Sequence, residues 1–396
     1  MNVGTYARML LVAIPLLSGC AGFWQSPTPP ATSGCTTNCT TLSSGNFYIL
    51  TNGKTPQVQG EVINSGKLAN LSGSPWNLTA PPFAMAISPS GNYLYVSTTG
   101  GVYVYPISGS GGLVTASAVA VSSDVDAVAI SVDISGKWLV EALDTGTGAV
   151  TMAAVPLNTS TGTNNGAEAT AVYAVANASV QSGKIAISPD DAHVFVALGT
   201  GGTIAVPFNA SVAAGSNPFG SNAPIVTVAH TGGSALSVGV DPGDALFYVG
   251  ESLGDPTGTT GGLRVFTMAS LGTTLVQASG SPIASGGTAP NAILPTASEI
   301  YVANGAGTST TGNITTFNLT SSSSAYTIAA AGTNVATGIQ PFSLAEDSDG
   351  NFVLAVSNVG NPFFSSYTFD TTTTGKLDVQ ITASTGTAPL AVVAVP

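Results

Sequence analysis

From residue 46 onward the chain alternates short apolar runs with small polar turns in a pattern that returns several times. The stretch PFAMAISPSGNYLYVSTTGGVYVYPI (82–107) shows the unit whole. It reads as an apolar strand, a Pro/Ser/Gly turn, a Tyr/Val strand ending on small residues, a Gly loop and a third apolar-aromatic strand. Within a run the larger side chains return at every second position, as Tyr93 and Tyr95 or Val102 and Val104 do. That is the period of a strand with one face buried against a neighbour. Further copies start at Ala127, Lys184, Ala235, Asn291 and Phe342.

A last copy is divided between the ends of the chain. PLAVVAVP (389–396) matches the head of the unit, PFAMAISP, and SGNFYILTNG (44–53) continues from where that head stops. The spacing between copies suits four short antiparallel strands with turns. An unpaired edge strand exposes a row of amide and carbonyl groups, and a ring of sheets removes that edge only if the first and last sheets interlock. The pattern therefore predicts an all-β, seven-bladed β-propeller over 46–396, closed by pairing the C-terminal strand with the N-terminal strands.

Composition agrees with an all-β chain, since 48 Gly, 24 Pro and abundant Ser and Thr leave little that favours long helices. The net charge of −12 without a basic cluster excludes nucleic acid as an expected partner. Residues 1–19 read as a leader, with Arg8 ahead of a short apolar run, MLLVAIPLL (9–17), too short to cross a bilayer as a helix. The run LSGC (17–20) resembles a bacterial lipoprotein lipobox. That resemblance implies cleavage before Cys20, lipidation of its thiol and a membrane anchor; with Ala21 rather than Asp following, it also implies the outer membrane of the cell envelope. Residues 20–45 read as a flexible Pro/Ser/Thr/Gly stalk in which Cys35 and Cys39 could form a small disulfide loop. Two thiols without a third ligand cannot complete a zinc shell, so neither a metal nor a cofactor is expected. A monomer is expected.

The units 79–107 and 184–208, with their Pro-Asp/Ser-Gly turns and Tyr/Val strands, resemble the YVTN-type repeat propellers and the broader lactonase-like seven-bladed group. Relatives of that group include 6-phosphogluconolactonase and carboxymuconate-forming enzymes. The resemblance covers 46–396 and implies a site at the channel mouth, on the face where loops enter the innermost strands. It carries no catalytic residue over, because the shared residues build strands and turns.

On that face the ionisable residues are few. A lactone hydrolase needs a base for water and donors for the oxyanion. His230 with Glu251, from one predicted blade, is the most economical pair, and Glu141 is a third candidate. Asp124, Asp126, Lys184, Asp144 and Asp255 are candidates for ligand contact. Arg264, the one arginine outside the leader, reads as an outward-facing salt partner, and a phosphorylated sugar would lack convergent cations. His193 falls beside a turn on the opposite face and reads as a surface residue. EDSDGN (346–351) reads as a structural turn, since the distal Glu of a calcium loop is missing. Sparse charge favours a surface-anchored binding or interaction module for a carbohydrate, peptide or protein. The alternative is a lactone (ester) hydrolase.

Overall fold

A computed structural model describes residues 42–146, 148–220, 223–271, 275–305, 310–322, 325–384 and 387–396. Arg8, Cys20, Cys35 and Cys39, with the leader and most of the stalk, lie outside these residues. The fold is all-β, with only short 3-10 turns besides strands among the described residues.

One local device recurs at the head of the repeat. Its four residues are SPSG (88–91), DISG (133–136), SPDD (188–191), DPGD (241–244) and DSDG (347–350). In each, the N–H of the fourth residue donates to the first residue's carbonyl at 2.9 Å, and the fourth residue has positive φ. Gly fits that left-handed conformation at 91, 136 and 350, while Asp191 and Asp244 adopt it at φ 56. The first residue's side chain then accepts a main-chain N–H from the following strand, as Ser88 Oγ does from Tyr93 at 3.0 Å and Asp241 Oδ2 from Ala245 at 3.1 Å. Ser or Asp at this place is therefore a matter of turn chemistry.

Each turn joins an innermost strand to the second strand of an antiparallel meander. The innermost strands are Pro82–Ile87, Ala127–Val132, Ile185–Ile187, Ser234–Val240, Ala289–Pro295, Val335–Glu346 and Pro389–Ala394. Each packs against the next in that order, and Pro389–Ala394 packs back against Pro82–Ile87. Pro389–Ala394 also pairs with Phe47–Thr51, from Phe47 opposite Ala394 to Thr51 opposite Pro389.

Among the described residues the hydrogen-bonded sheets number six rather than the expected seven. Five have four or five strands, and the sixth has eight. The cause is Val335–Glu346, twelve residues long, whose first part pairs with Thr311–Ser322 while the rest takes the innermost place of the next meander. A loop elsewhere in the chain is here an extra ladder that fuses two meanders.

Second strands carry the bulk of the core, with Tyr48, Tyr95, Trp138, Phe195, Tyr248, Tyr301 and Phe352 almost fully buried. Burying each contributes about 1.5–3 kcal/mol. Several also reach forward to the next sheet. Tyr48 Oη donates to Gly111 O at 2.6 Å, Tyr95 Oη to Gly162 O at 2.9 Å and Trp138 Nε1 to Ala210 O at 3.2 Å. Where the aromatic lacks a polar handle, stacking replaces the bond: Phe195 lies 4.5 Å from Phe247.

Candidate active site

The innermost strands surround an axial channel, and its two ends differ. At the end where loops enter these strands, residues 181–184 fold over the axis. Gly183 takes positive φ, closing a turn in which Lys184 N–H donates to Gln181 O at 3.0 Å. From there Ser182 Oγ donates to Phe83 O at 2.6 Å and Gly183 N–H to Val128 O at 2.9 Å. Lys184 extends to Val335–Glu346, where its Nζ donates to Phe342 O and lies 4.1 Å from the Phe342 ring centroid.

Lys184 is 8% exposed and belongs to no ion pair among the described residues. Burial without a countercharge disfavours the ammonium and pulls its pKa down to about 7. Beneath it is a cavity of about 280 Å³, lined by Lys184, Ser343 and aliphatic residues including Met85, Ile130 and Val392. Ser343 Oγ accepts the Val392 N–H at 3.2 Å, leaving its hydroxyl proton free to donate. A base near neutrality beside a hydroxyl donor in an apolar cavity can activate water and stabilise an oxyanion.

The opposite end opens into a funnel of about 1060 Å³. Its rim is the set of recurring turns, including Pro89, Ile134, Pro189 and Pro242. Its charged lining is Glu346, Asp347 and Asp349. Desolvation pushes Glu346 up to about 7 and Asp347 to about 6.

The sequence candidates do not converge. Glu251 is fully buried, but it accepts the main-chain N–H of His230 rather than an imidazole proton, and its second oxygen is 3.4 Å from Arg264 Nη1. The expected His230–Glu251 acid-base pair is thus a main-chain anchor, because the His230 ring turns away over Gly258. Arg264 turns inward to Glu251 and to Val228 O, at 2.9 Å, rather than outward. Asp255 is buried and its carboxylate accepts the hydroxyl of Thr257 and the N–H groups of residues 257, 259 and 260, which hold its pKa well below the ordinary range. Asp126 and Asp144 meet only through a main-chain bond of 3.0 Å.

Glu141 stands in a separate carboxyl group with Asp124 and Glu168. Burial first, then repulsion from Asp124 and Glu168, pushes Glu141 well above the carboxylate range. Ser122 Oγ donates to Glu141 Oε2 at 3.2 Å. Glu168 itself is pushed up to about 7. His193 is half-buried and tilted against Phe195 at 6.2 Å, not the freely exposed residue its turn position implied. Ser343, Glu168 and the channel-facing carboxylates of 346–349 were not among the candidates. EDSDGN carried a signal in its acidity, but it aligned with turns elsewhere and read as one.

No known protein family and no curated protein matches the chain. Among solved structures it is similar to a putative 6-phosphogluconolactonase from Bacteroides fragilis, with a TM-score of 0.66, 15% identity and coverage of 89% of this chain and 98% of that one. It is also similar to the periplasmic gluconolactonase PpgL of Pseudomonas aeruginosa, with a TM-score of 0.64, 17% identity and coverage of 90% and 100%. The β-propeller domain of Swd1 from Myceliophthora thermophila matches with a TM-score of 0.54, 12% identity and coverage of 81% and 91%. The fold is a β-propeller. At these identities the likeness speaks for architecture alone.

Proposed function

We propose that the propeller hydrolyses an uncharged lactone or related ester in its channel, with Lys184 as the base. The observation that carries this reading is the buried amine, without an ion-pair partner among the described residues and with a pKa of about 7, at the wall of the 280 Å³ cavity that Ser343 also lines. The lactonase-like neighbours support it. With Lys184 neutral, the amine takes a proton from water as the hydroxide attacks the ester carbonyl. The carbonyl oxygen becomes an oxyanion facing the Ser343 hydroxyl. Collapse breaks the acyl–oxygen bond, and the departing alkoxide takes the proton back from Lys184, giving the hydroxy acid. Lys184 is the one cationic side chain among the described residues lining either cavity, so a phosphorylated lactone has no cluster of cations to hold it.

The reading includes a count of seven blades. It is supported by dividing the eight-stranded sheet at Val335 and by the order in which the innermost strands pack, with Pro389–Ala394 sealing the ring. It also includes an envelope location through a lipid on Cys20, supported by the leader pattern. The test is hydrolysis of neutral γ- and δ-lactones by the full chain, followed by acid release. Turnover that rises through about pH 7 and is lost in Lys184→Met is the expected result. No turnover across the panel, or unchanged turnover by the variant, rejects it.

A binding module is the second reading. It is favoured by the absence of a His–carboxylate or Lys–carboxylate pair around the channel among the described residues, and by the larger volume of the funnel.

A further inference from the structure

The amine of Lys184 has fewer partners than an ammonium needs. An ammonium presents three N–H donors, and the one acceptor for Nζ among the described residues is Phe342 O. The other contact is the Phe342 ring, whose centroid lies 4.1 Å from Nζ. A buried ammonium so placed leaves donors unmet, whereas a neutral amine gives one N–H to the carbonyl and keeps its lone pair. The pKa of about 7 agrees with that form. A neutral amine in apolar surroundings is a nucleophile for carbonyl carbon.

The cavity beside it offers a way in and an apolar fit. Ile87, Val132, Ile185, Leu344 and Val392 line both this cavity and the funnel of the turn face. The two spaces therefore meet along the axis, and the funnel is the route of entry. Met85, Ile130 and Val392 offer hydrocarbon contact, and about 280 Å³, below the range of drug-sized ligands, suits a short aliphatic chain. No carboxylate lines the cavity among the described residues, so no ligand cation is favoured there. Ser343 can donate its hydroxyl proton to a carbonyl oxygen, since its Oγ already accepts the Val392 N–H at 3.2 Å.

We infer that the cavity captures a short, uncharged aliphatic aldehyde as an imine on Lys184 Nζ. The amine lone pair forms the C–N bond as the carbonyl π pair moves to oxygen, and a proton passes from nitrogen to that oxygen to give a carbinolamine. The C–O bond then breaks. Its hydroxyl leaves with the remaining N–H proton as water, and the nitrogen lone pair completes the C=N bond, with no net oxidation. Protonated, the imine has a single N–H, which matches the single carbonyl at Phe342, and its charge lies against the Phe342 ring. Imine formation needs no ester and ester turnover needs no imine, so neither reading rests on the other.

The experiment is reductive trapping of the full chain near pH 7 with butanal and cyanoborohydride, followed by peptide mass spectrometry. A butyl group is expected on Lys184 at least tenfold faster than on Lys54, Lys67, Lys137 or Lys376, and unfolding in urea should erase that preference. Lys184→Met should remove the fast label. If that variant does not fold, the urea comparison on the unaltered chain carries the test. Equal labelling of the five lysines overturns the proposal, as does a label absent from Lys184 or a preference that survives unfolding. With glyoxylate, whose carboxylate the aliphatic wall excludes, the preference should vanish; the same preference with glyoxylate overturns the assignment to uncharged aldehydes. Lactone turnover without trapping rejects this inference alone, and trapping without turnover rejects the hydrolase reading alone.

Discussion

The two ends of the channel resolve the same problem with opposite charges. At one end a single amine, Lys184, is buried against the Phe342 carbonyl and ring with no ion-pair partner among the described residues. At the other end Glu346 is half-buried and Asp347 buried, with no ion-pair partner among the described residues. Desolvation penalises the charged form at both, so it drives the base down and the acids up until all titrate near neutrality. Groups with ordinary pKa values far apart are thus brought into one pH range by an apolar wall, without any ion pair between them.

The largest expected effect falls at the Lys184 end. Lys184→Met should cut lactone turnover by about 100-fold, the scale of a lost general base, without lowering the melting temperature. A thioether of similar length replaces an unpaired amine there, so a large loss of stability would show that Lys184 is a strut and not a base.

The pH dependence of stability tests both ends together. Glu346 and Asp347 have folded-state values of about 7 and about 6, above their unfolded values, so the native state binds more protons between about pH 4 and 7. Their contribution is complete below about pH 4 and is lost as the pH rises through 6 to 7. Lys184 behaves inversely, because its folded value of about 7 is below the unfolded one and the unfolded chain binds more protons from about pH 7 to 10. Chemical denaturation should therefore find a stability minimum near pH 7 to 8. Lys184→Met should remove the alkaline rise, and Glu346→Gln should lessen the acidic fall, to which Glu141 and Glu168 also contribute. A profile without a minimum breaks the symmetry argued for the two ends.

Smaller effects sharpen the account of closure. Gly183→Ala places a side chain at φ +69 with open space around it, so strain alone should cost about 1 kcal/mol. Ser182→Ala removes one bond across the axis and should cost about 0.5–1.5 kcal/mol, read from a denaturant midpoint. Faster hydrogen exchange at the amide of Gly183 in either variant would mark an opened lid.

The architecture was legible because its causes are local and repeated. Apolar alternation sets the strands, and the Ser/Asp-x-x-Gly/Asp turn recurs with the same main-chain hydrogen bond at five places, so each copy supports the reading of the others. The pairing of Pro389–Ala394 with Phe47–Thr51 could be read from two incomplete copies. The fused sheet could not, because the ladder between Thr311–Ser322 and Val335–Glu346 arises where the pattern shows only a variable loop. Site chemistry was less visible for a related reason. Lys184 was a candidate only for ligand contact, since nothing in QSGK (181–184) reports that its partner is Phe342, on a strand far along the chain. Glu251 and His230 were joined by proximity in the repeat, which fixes their main chains but not the direction of a ring.

The division of one sheet between distant parts of the chain has a consequence during biosynthesis. Phe47–Thr51 leaves the ribosome more than 300 residues ahead of its neighbour Pro389–Ala394. A half-finished polypeptide therefore carries an unmatched apolar border throughout elongation, and a nascent chain in that state is open to wrong partners. Holding it unfolded until that partner strand is made would protect it.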